Sequence, residues 1–251
     1  MYQEQLVETG GGGAAQCVRR TSAGCADCRV SQTAICAELA VDTRDALAGS
    51  ARHRRLRKGQ TLFWEGDEVG FVGTVVSGML TLSRNARDGG ELILGMVGPG
   101  GVVGYPDRSA ARANAVAVTE TELCLFPIEA FNRFADTNPS LRARLIDQMF
   151  HELEHTRHWL FMLGRGSAAE RIASMLLEFA GAGAPEGTHA LPISRGRIAH
   201  VTGLAIETVS RQLSSLVRAG IIALPSRDRF VLRDRRALLS IAGLAPAHDT
   251  H

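Results

Sequence analysis

Between Gly59 and Phe126 the chain is patterned in short alternating apolar runs. Gly59-Gln-Thr-Leu-Phe-Trp-Glu-Gly-Asp67, Phe71 to Ser83, Glu91 to Val97 and Val116 to Phe126 are separated by glycines and by Asp88-Gly-Gly90. Many short strands with glycine turns predict a β-sandwich or jelly-roll barrel. From Pro139 to about Leu163 the period changes to that of a helix. Ile146, Met149, Leu153, Thr156, Leu160 and Leu163 recur at steps of 3, 4, 3, 4 and 3, an a/d seam. A single seam of this length favours a parallel pair of helices from two copies of the chain, with Thr156 as its one polar position. Ordinary packing against the chain's own barrel is the alternative. Residues 42–55 predict a short helix ahead of the strands.

Ser167-Ala-Ala-Glu170 is a capping box that starts a further helix through Phe179. Gly181 to Gly187 then reads as a flexible surface loop. Ser194 caps a short helix, Gly203 marks a tight turn, and Val209, Leu213, Leu216 and Val217 form one apolar helical face ended by Gly220. The opposite face presents Glu207, Ser210, Arg211, Ser214 and Arg218, groups suited to base edges and phosphates. Ile221 to Pro225 and Arg229 to Arg233 flank Ser226-Arg-Asp228 as a small hairpin. Helix, turn, helix and hairpin make a winged helix-turn-helix. The alternative, a solvated helix pair, is disfavoured by charge. From Arg195 to Arg236 nine arginines meet three acidic residues, in a chain whose net charge is only +2. Double-stranded DNA is the partner this implies. Arg195, Arg197 and Arg218 are assigned to phosphate, which positions without specifying.

Composition adds little to the fold but bounds the compartment. Hydrophobic residues at 45% and charged residues at 22% are those of a globular protein. With no apolar run of about 20 residues and no signal-peptide pattern, a cytoplasmic protein without membrane contact is expected. Thiols stay reduced there, which changes the reading of the five cysteines. Residues 1–16, with Gly10 to Gly13, are expected to be a disordered tail. Cys17, Cys25, Cys28 and Cys36 follow, and Cys124 stands far away. Cys25-Ala-Asp-Cys28 lets two thiolates converge, and four cysteines without a histidine favour an all-thiolate site, iron–sulfur or zinc. Thiols without a ligand remain the alternative. Taken alone, Cys124 reads as a small buried hydrophobe. His151, His155 and His158 are read as a solvated helix face.

An N-terminal cysteine cluster, a barrel, a long helix and a winged helix, in this order, resemble the CRP/FNR superfamily of bacterial transcription regulators over about residues 17 to 242. Cys25-x2-Cys28-x7-Cys36, Cys124 just before Phe126-Pro127, and Glu207-Thr-Val-Ser-Arg211 are similar to the FNR branch, the oxygen-responsive iron–sulfur regulators. This resemblance implies a [4Fe–4S] cluster on Cys25, Cys28, Cys36 and Cys124, base reading by Glu207, Ser210 and Arg211, and a dimer sustained by the cluster. That dimer would bind a palindrome like TTGAT-N4-ATCAA at low oxygen and recruit RNA polymerase. Cys17 departs from the simplest pattern as a rival ligand.

The expected α+β organisation is a tail at 1–16, a cysteine-bearing segment and barrel at 17–137, a dimerisation helix at 138–164 and a DNA-binding unit at 165–251. Rival readings are a regulator of the same family without a cluster, a cyclic-nucleotide sensor, and an electron-transfer or dithiol redox protein. Against nucleotide sensing, Gly104 is followed by Tyr105 where that branch resembles Gly-Glu, and Arg108-Ser-Ala110 falls about four residues early. No catalytic constellation stands out, so no enzyme is expected.

Overall fold

The computed structural model describes residues 17–18, 25, 28–37, 39–85, 91–107, 109–181 and 184–244. The expectations placed on the 1–16 tail, the Asp88-Gly-Gly90 turn and Arg108 lie outside the described residues.

Two antiparallel sheets form the barrel. One runs in the order β1 (Cys17–Val18), β2 (Arg52–Leu56), β9 (Thr121–Pro127), β4 (Phe71–Ser77) and β7 (Val102–Gly104). The other runs β3 (Thr61–Phe63), β8 (Asn114–Ala117), β5 (Leu80–Asn85) and β6 (Glu91–Val97). Alternation sets their facing: Val75 of β4 and Leu123 and Leu125 of β9 join Leu80, Val97 and Val103 in the interior. Gly104 has φ +93, and a Cβ there would lie 2.1 Å from the Phe71 carbonyl oxygen, so only glycine lets β7 end against β4.

The five-stranded sheet is apolar on its outer face as well. Val72 and Phe126 are covered by Ile35, Leu39, Leu47 of α1 (Val41–Ser50) and Phe131 of α2 (Ile128–Thr137). The helix expected over 42–55 therefore stops at Ser50. Residues 52–56 are β2, paired residue for residue with β9 from Arg52↔Leu125 to Leu56↔Thr121, and this cross-strand pairing overrides the weak local preference. Helix α2 was not anticipated, although Pro127 and Asn138-Pro139 bracket it.

Helix α3 (Pro139–Arg165) carries proline in its first turn, where the missing N–H costs nothing. The capping box then closes reciprocally: Ser167 N donates to Glu170 Oε2 at 2.6 Å and Glu170 N to Ser167 Oγ at 3.3 Å, opening α4 (Ala168–Ala180). The C-terminal unit continues with β10 (Gly187–Ala190), α5 (Arg195–Thr202), α6 (Ile206–Arg218), β11 (Ile222–Ala223), β12 (Arg229–Leu232) and α7 (Arg235–Ile241). Gly203 sits at φ +64 between α5 and α6, the left-handed turn the motif requires. The predicted hairpin gains a third strand, because β10 pairs with β12 from Gly187↔Leu232 to Ala190↔Arg229. The segment expected as a loop thus enters a sheet at Gly187. Val209, Leu213 and Leu216 of α6 are buried with Ile172, Ile198, Phe230 and Leu238, and Met79, Met96 and Val118 of the barrel join the same core.

Candidate functional site

The outer face of β9 carries a row that runs straight across three strands. Cys124 pairs with His53 of β2 on one side and with Thr74 of β4 on the other. Cross-strand partners project to one face, and all three line a single cavity. Its roof is the turn-rich segment before α1. There Ser31 N donates to Cys28 O (3.1 Å) and Ala34 N to Val30 O (2.8 Å), while Val30, Ala34 and Ile35 are buried as anchors. Burying a side chain such as Ile35 contributes about 1.5–3 kcal/mol toward holding the segment on the sheet.

Cys25, Cys28, Cys36 and Cys124 all line this cavity, and its other walls are mostly apolar, with Leu47, Val76 and Phe126 among them. The expected ligand set is thus gathered by folding from positions up to ninety-nine residues apart. Cys124 is half-buried and faces the cavity, not the barrel interior. Cys17 holds the backbone register of Arg54, one step from the His53–Cys124–Thr74 row. Burial, and after it the neighbouring Cys25 and Cys28, push the Cys36 thiol up; its backbone hydrogen bond and Arg44 act the other way. Thiolates brought together here need a cation to offset them. Soft sulfur donors in apolar walls fit an iron–sulfur group. Among the described residues no three His, Cys, Asp or Glu side chains converge on one point as the ligands of a single ion do. A [4Fe–4S] group instead takes each thiolate at a different iron, from the surrounding walls.

The roof is also gripped by the long helix. Gln148 Nε2 donates to the carbonyl oxygens of Thr33 (2.7 Å) and Gly100 (3.2 Å), and Arg144 Nη2 donates to Thr33 O (3.1 Å). Thr33 lies between Cys28 and Cys36. Neither Arg144 nor Gln148 was singled out from sequence, because a polar residue beside an apolar seam carries no local mark of what it will hold.

On α3, Ile146, Met149, Leu153, Leu160 and Leu163 are 41–66% exposed, and Phe150 and Phe161 extend the same apolar surface. Thr156 is exposed among them. Seam residues left this open are not packed on their own barrel. His155 departs from the solvated face expected of it: its Nε2 lies 3.5 Å from Glu178 of α4, and Trp159 Nε1 donates to the same carboxylate at 2.9 Å.

On α6, Glu207, Arg211 and Arg218 are exposed and Ser210 is half-buried. Arg211 Nη2 donates to Thr208 Oγ1 at 3.2 Å. Arg197, expected at a phosphate, is half-buried and donates from Nη2 to Glu91 Oε2 of β6 at 2.7 Å. In the barrel, Tyr105 and Phe71 lie 6.1 and 6.2 Å from the Phe63 ring and pack on the interior core. The position where a nucleotide-binding carboxylate was sought is therefore an aromatic one.

A β-sandwich joined by a long helix to a winged helix-turn-helix defines a DNA-binding regulator with a separate N-terminal β unit. The pattern described as cyclic nucleotide-binding domain matches residues 53–138, and that described as Crp-like helix-turn-helix domain matches residues 170–241. The chain is 34% identical over 228 residues to the transcriptional activator protein FnrL of Cereibacter sphaeroides, covering 87% of this chain and 92% of that one. It is 31% identical to the transcriptional activator protein anr of Pseudomonas aeruginosa, covering 88% and 93%. Among solved structures, FixK2 from Bradyrhizobium japonicum superposes with a TM-score of 0.68 at 30% identity, covering 78% of this chain and 98% of that one. The chain belongs to the CRP/FNR family of transcription regulators. Among the described residues no helix is long and apolar enough to cross a membrane.

Proposed function

We propose that this regulator senses oxygen through a [4Fe–4S] cluster held by Cys25, Cys28, Cys36 and Cys124, and that its dimer binds a palindrome like TTGAT-N4-ATCAA to control transcription at low oxygen. The observation that carries this reading is the single cavity lined by all four cysteines, three from the N-terminal segment and one from β9. When bound, the cluster supplies an oxygen-labile junction between these two parts of the chain.

The chain's own residues do the rest. The four thiolates hold the roof of the cavity to β9. Arg144 and Gln148 hold the roof to α3 through Thr33 O, so a change in the roof reaches the dimer helix directly. Ile146, Met149, Leu153, Leu160 and Leu163, with Phe150 and Phe161, offer α3 to a second copy, with Thr156 at the polar step of the seam. Glu207, Ser210 and Arg211 meet base edges in the major groove, while Arg197 and Arg218 meet phosphates. RNA polymerase as the partner on the promoter and the cytoplasm as the compartment belong to the same reading.

The test is anaerobic reconstitution of the full chain with iron and sulfide, read by visible absorbance and by iron and sulfide content. Four irons per chain are expected in the wild type and in Cys17→Ser. Cys25→Ser, Cys28→Ser, Cys36→Ser and Cys124→Ser should each lose them, since a serine hydroxyl is a poor soft-metal ligand. Full cluster content in Cys124→Ser would overturn the ligand set.

A further inference from the structure

Among the described residues, two hydrogen-bond donors in the cysteine cavity have no acceptor. Thr74 is only 2% exposed, lines the cavity, and its Oγ1 meets no hydrogen-bond partner. A buried hydroxyl left unsatisfied is destabilising, and valine would fill the same strand position without that cost. The neighbouring outward positions on β4 are Val72 and Val76, so an apolar wall is what the strand otherwise builds there. Arg44 shows the same feature from α1. Its Nη2 donates to Leu39 O at 3.1 Å and to Ala37 O at 3.5 Å, which fixes the guanidinium, while its buried Nε meets no partner. It too lines the cavity, close enough to Cys36 to act on its thiol.

Resting on the cluster reading above, we propose that Thr74 Oγ1–H and Arg44 Nε–H donate hydrogen bonds to the sulfurs of the bound iron–sulfur group and so tune its reduction potential. Thr74 is placed for this by register: it stands directly beside Cys124 in the sheet, whichever corner of the group that cysteine holds. Donors to cluster sulfurs favour the more negative, reduced form, so each one raises the potential. Neither side chain is a ligand. Both are positioning and tuning residues, satisfied only when the cavity is filled.

The experiment compares wild type, Thr74→Val, Thr74→Ser and Arg44→Lys in full-length chain, reconstituted anaerobically and also iron-free. In the loaded proteins, Thr74→Val should lower the midpoint potential and raise the iron–thiolate stretching frequencies in resonance Raman spectra. Arg44→Lys should shift both the same way, and Thr74→Ser, which keeps the hydroxyl, should stay near wild type. Melting separates this role from packing. Iron-free Thr74→Val should melt at or above the iron-free wild type, because an unsatisfied hydroxyl is gone, whereas loaded Thr74→Val should melt below the loaded wild type. Loaded Thr74→Val with an unmoved potential and spectrum, or with the same melting loss in both forms, overturns this inference alone. A wild type that takes up no iron overturns the cluster reading and this inference with it.

Discussion

Arg197 of α5 donates to Glu91 of β6 at 2.7 Å, and His200 one turn on bonds the Glu91 carbonyl, so the DNA-binding unit is tied to the barrel through one acidic residue. The guanidinium assigned to a DNA phosphate is thus held by a carboxylate of the same chain. Burial alone would raise the Glu91 carboxyl. The neighbouring Ser83 hydroxyl, the hydrogen bond from Arg197 and the charges of Arg197 and His200 outweigh that and hold it below the usual carboxylate range. A depressed carboxyl stabilises the contact above its unfolded pKa of about 4.3 and ceases to do so as pH falls through the folded value. Both side chains are more than a third exposed, so the effect on stability is small. The larger effect is on DNA. Glu91→Gln is expected to strengthen binding to random duplex DNA in fluorescence anisotropy, whereas Arg197→Ala should weaken all sequences alike and reduce the salt slope by about 1.

Base reading predicts a different signature. Glu207→Ala and Arg211→Ala should relax preference at particular base pairs by about 1–3 kcal/mol each. Binding to single-base variants of the palindrome checks this, and an even loss across the panel for Glu207→Ala refutes the assignment.

For the dimer helix, Leu153→Glu or Leu160→Glu should give monomers of the cluster-loaded protein. Each places like charges opposite one another in an apolar seam, at a cost of several kcal/mol. Anaerobic light scattering that still reports dimers for both variants would place the interface elsewhere.

Coupling between cavity and helix can be weakened at one of the two α3 side chains that hold Thr33 O. Gln148→Ala removes the donor to Thr33 O and Gly100 O. It should keep wild-type iron content while weakening dimerisation several-fold in anaerobic sedimentation; a wild-type dimer constant would mean that the roof does not signal through this contact.

His155 gives a second pH dependence, of opposite sign. The Glu178 carboxylate 3.5 Å away raises its pKa, burial opposes that, and the charge of Glu152 adds to the rise. A raised histidine stabilises the α3–α4 junction fully below its unfolded pKa of about 6.5, and that contribution is lost as pH climbs through the folded value. An NMR titration should place His155 above the ordinary histidine range, and Glu178→Gln should bring it down.

The parts legible in the chain were those carried by local chemistry. The capping box, Ser194, Gly203 and the 3.6-residue period of α6 each specify backbone geometry within a few residues, and each was found where it was expected. Elements that depend on distant partners were missed or misplaced. β10 is placed by pairing with β12, and β2 by pairing with β9 over its whole length. Cys25, Cys28 and Cys36 stood out by spacing, and Cys124 joined them as an expected ligand only through the resemblance. The donors around them did not stand out, because Thr74 looks like any strand threonine until its register with Cys124 is known. Likewise, nothing about Arg197 marks its partner as Glu91, over a hundred residues away.

The register of β9 also decides where the fourth thiol stands. Leu123 and Leu125 are locked into the interior, and a slip of one residue would turn Cys124 inward and expose them. The fourth thiol is therefore fixed in space by the barrel's own core before any iron arrives. Cys25, Cys28 and Cys36 come to it on one short segment. On the proposed cluster reading, filling the site would close that segment onto this wall, and losing the cluster would leave the wall standing.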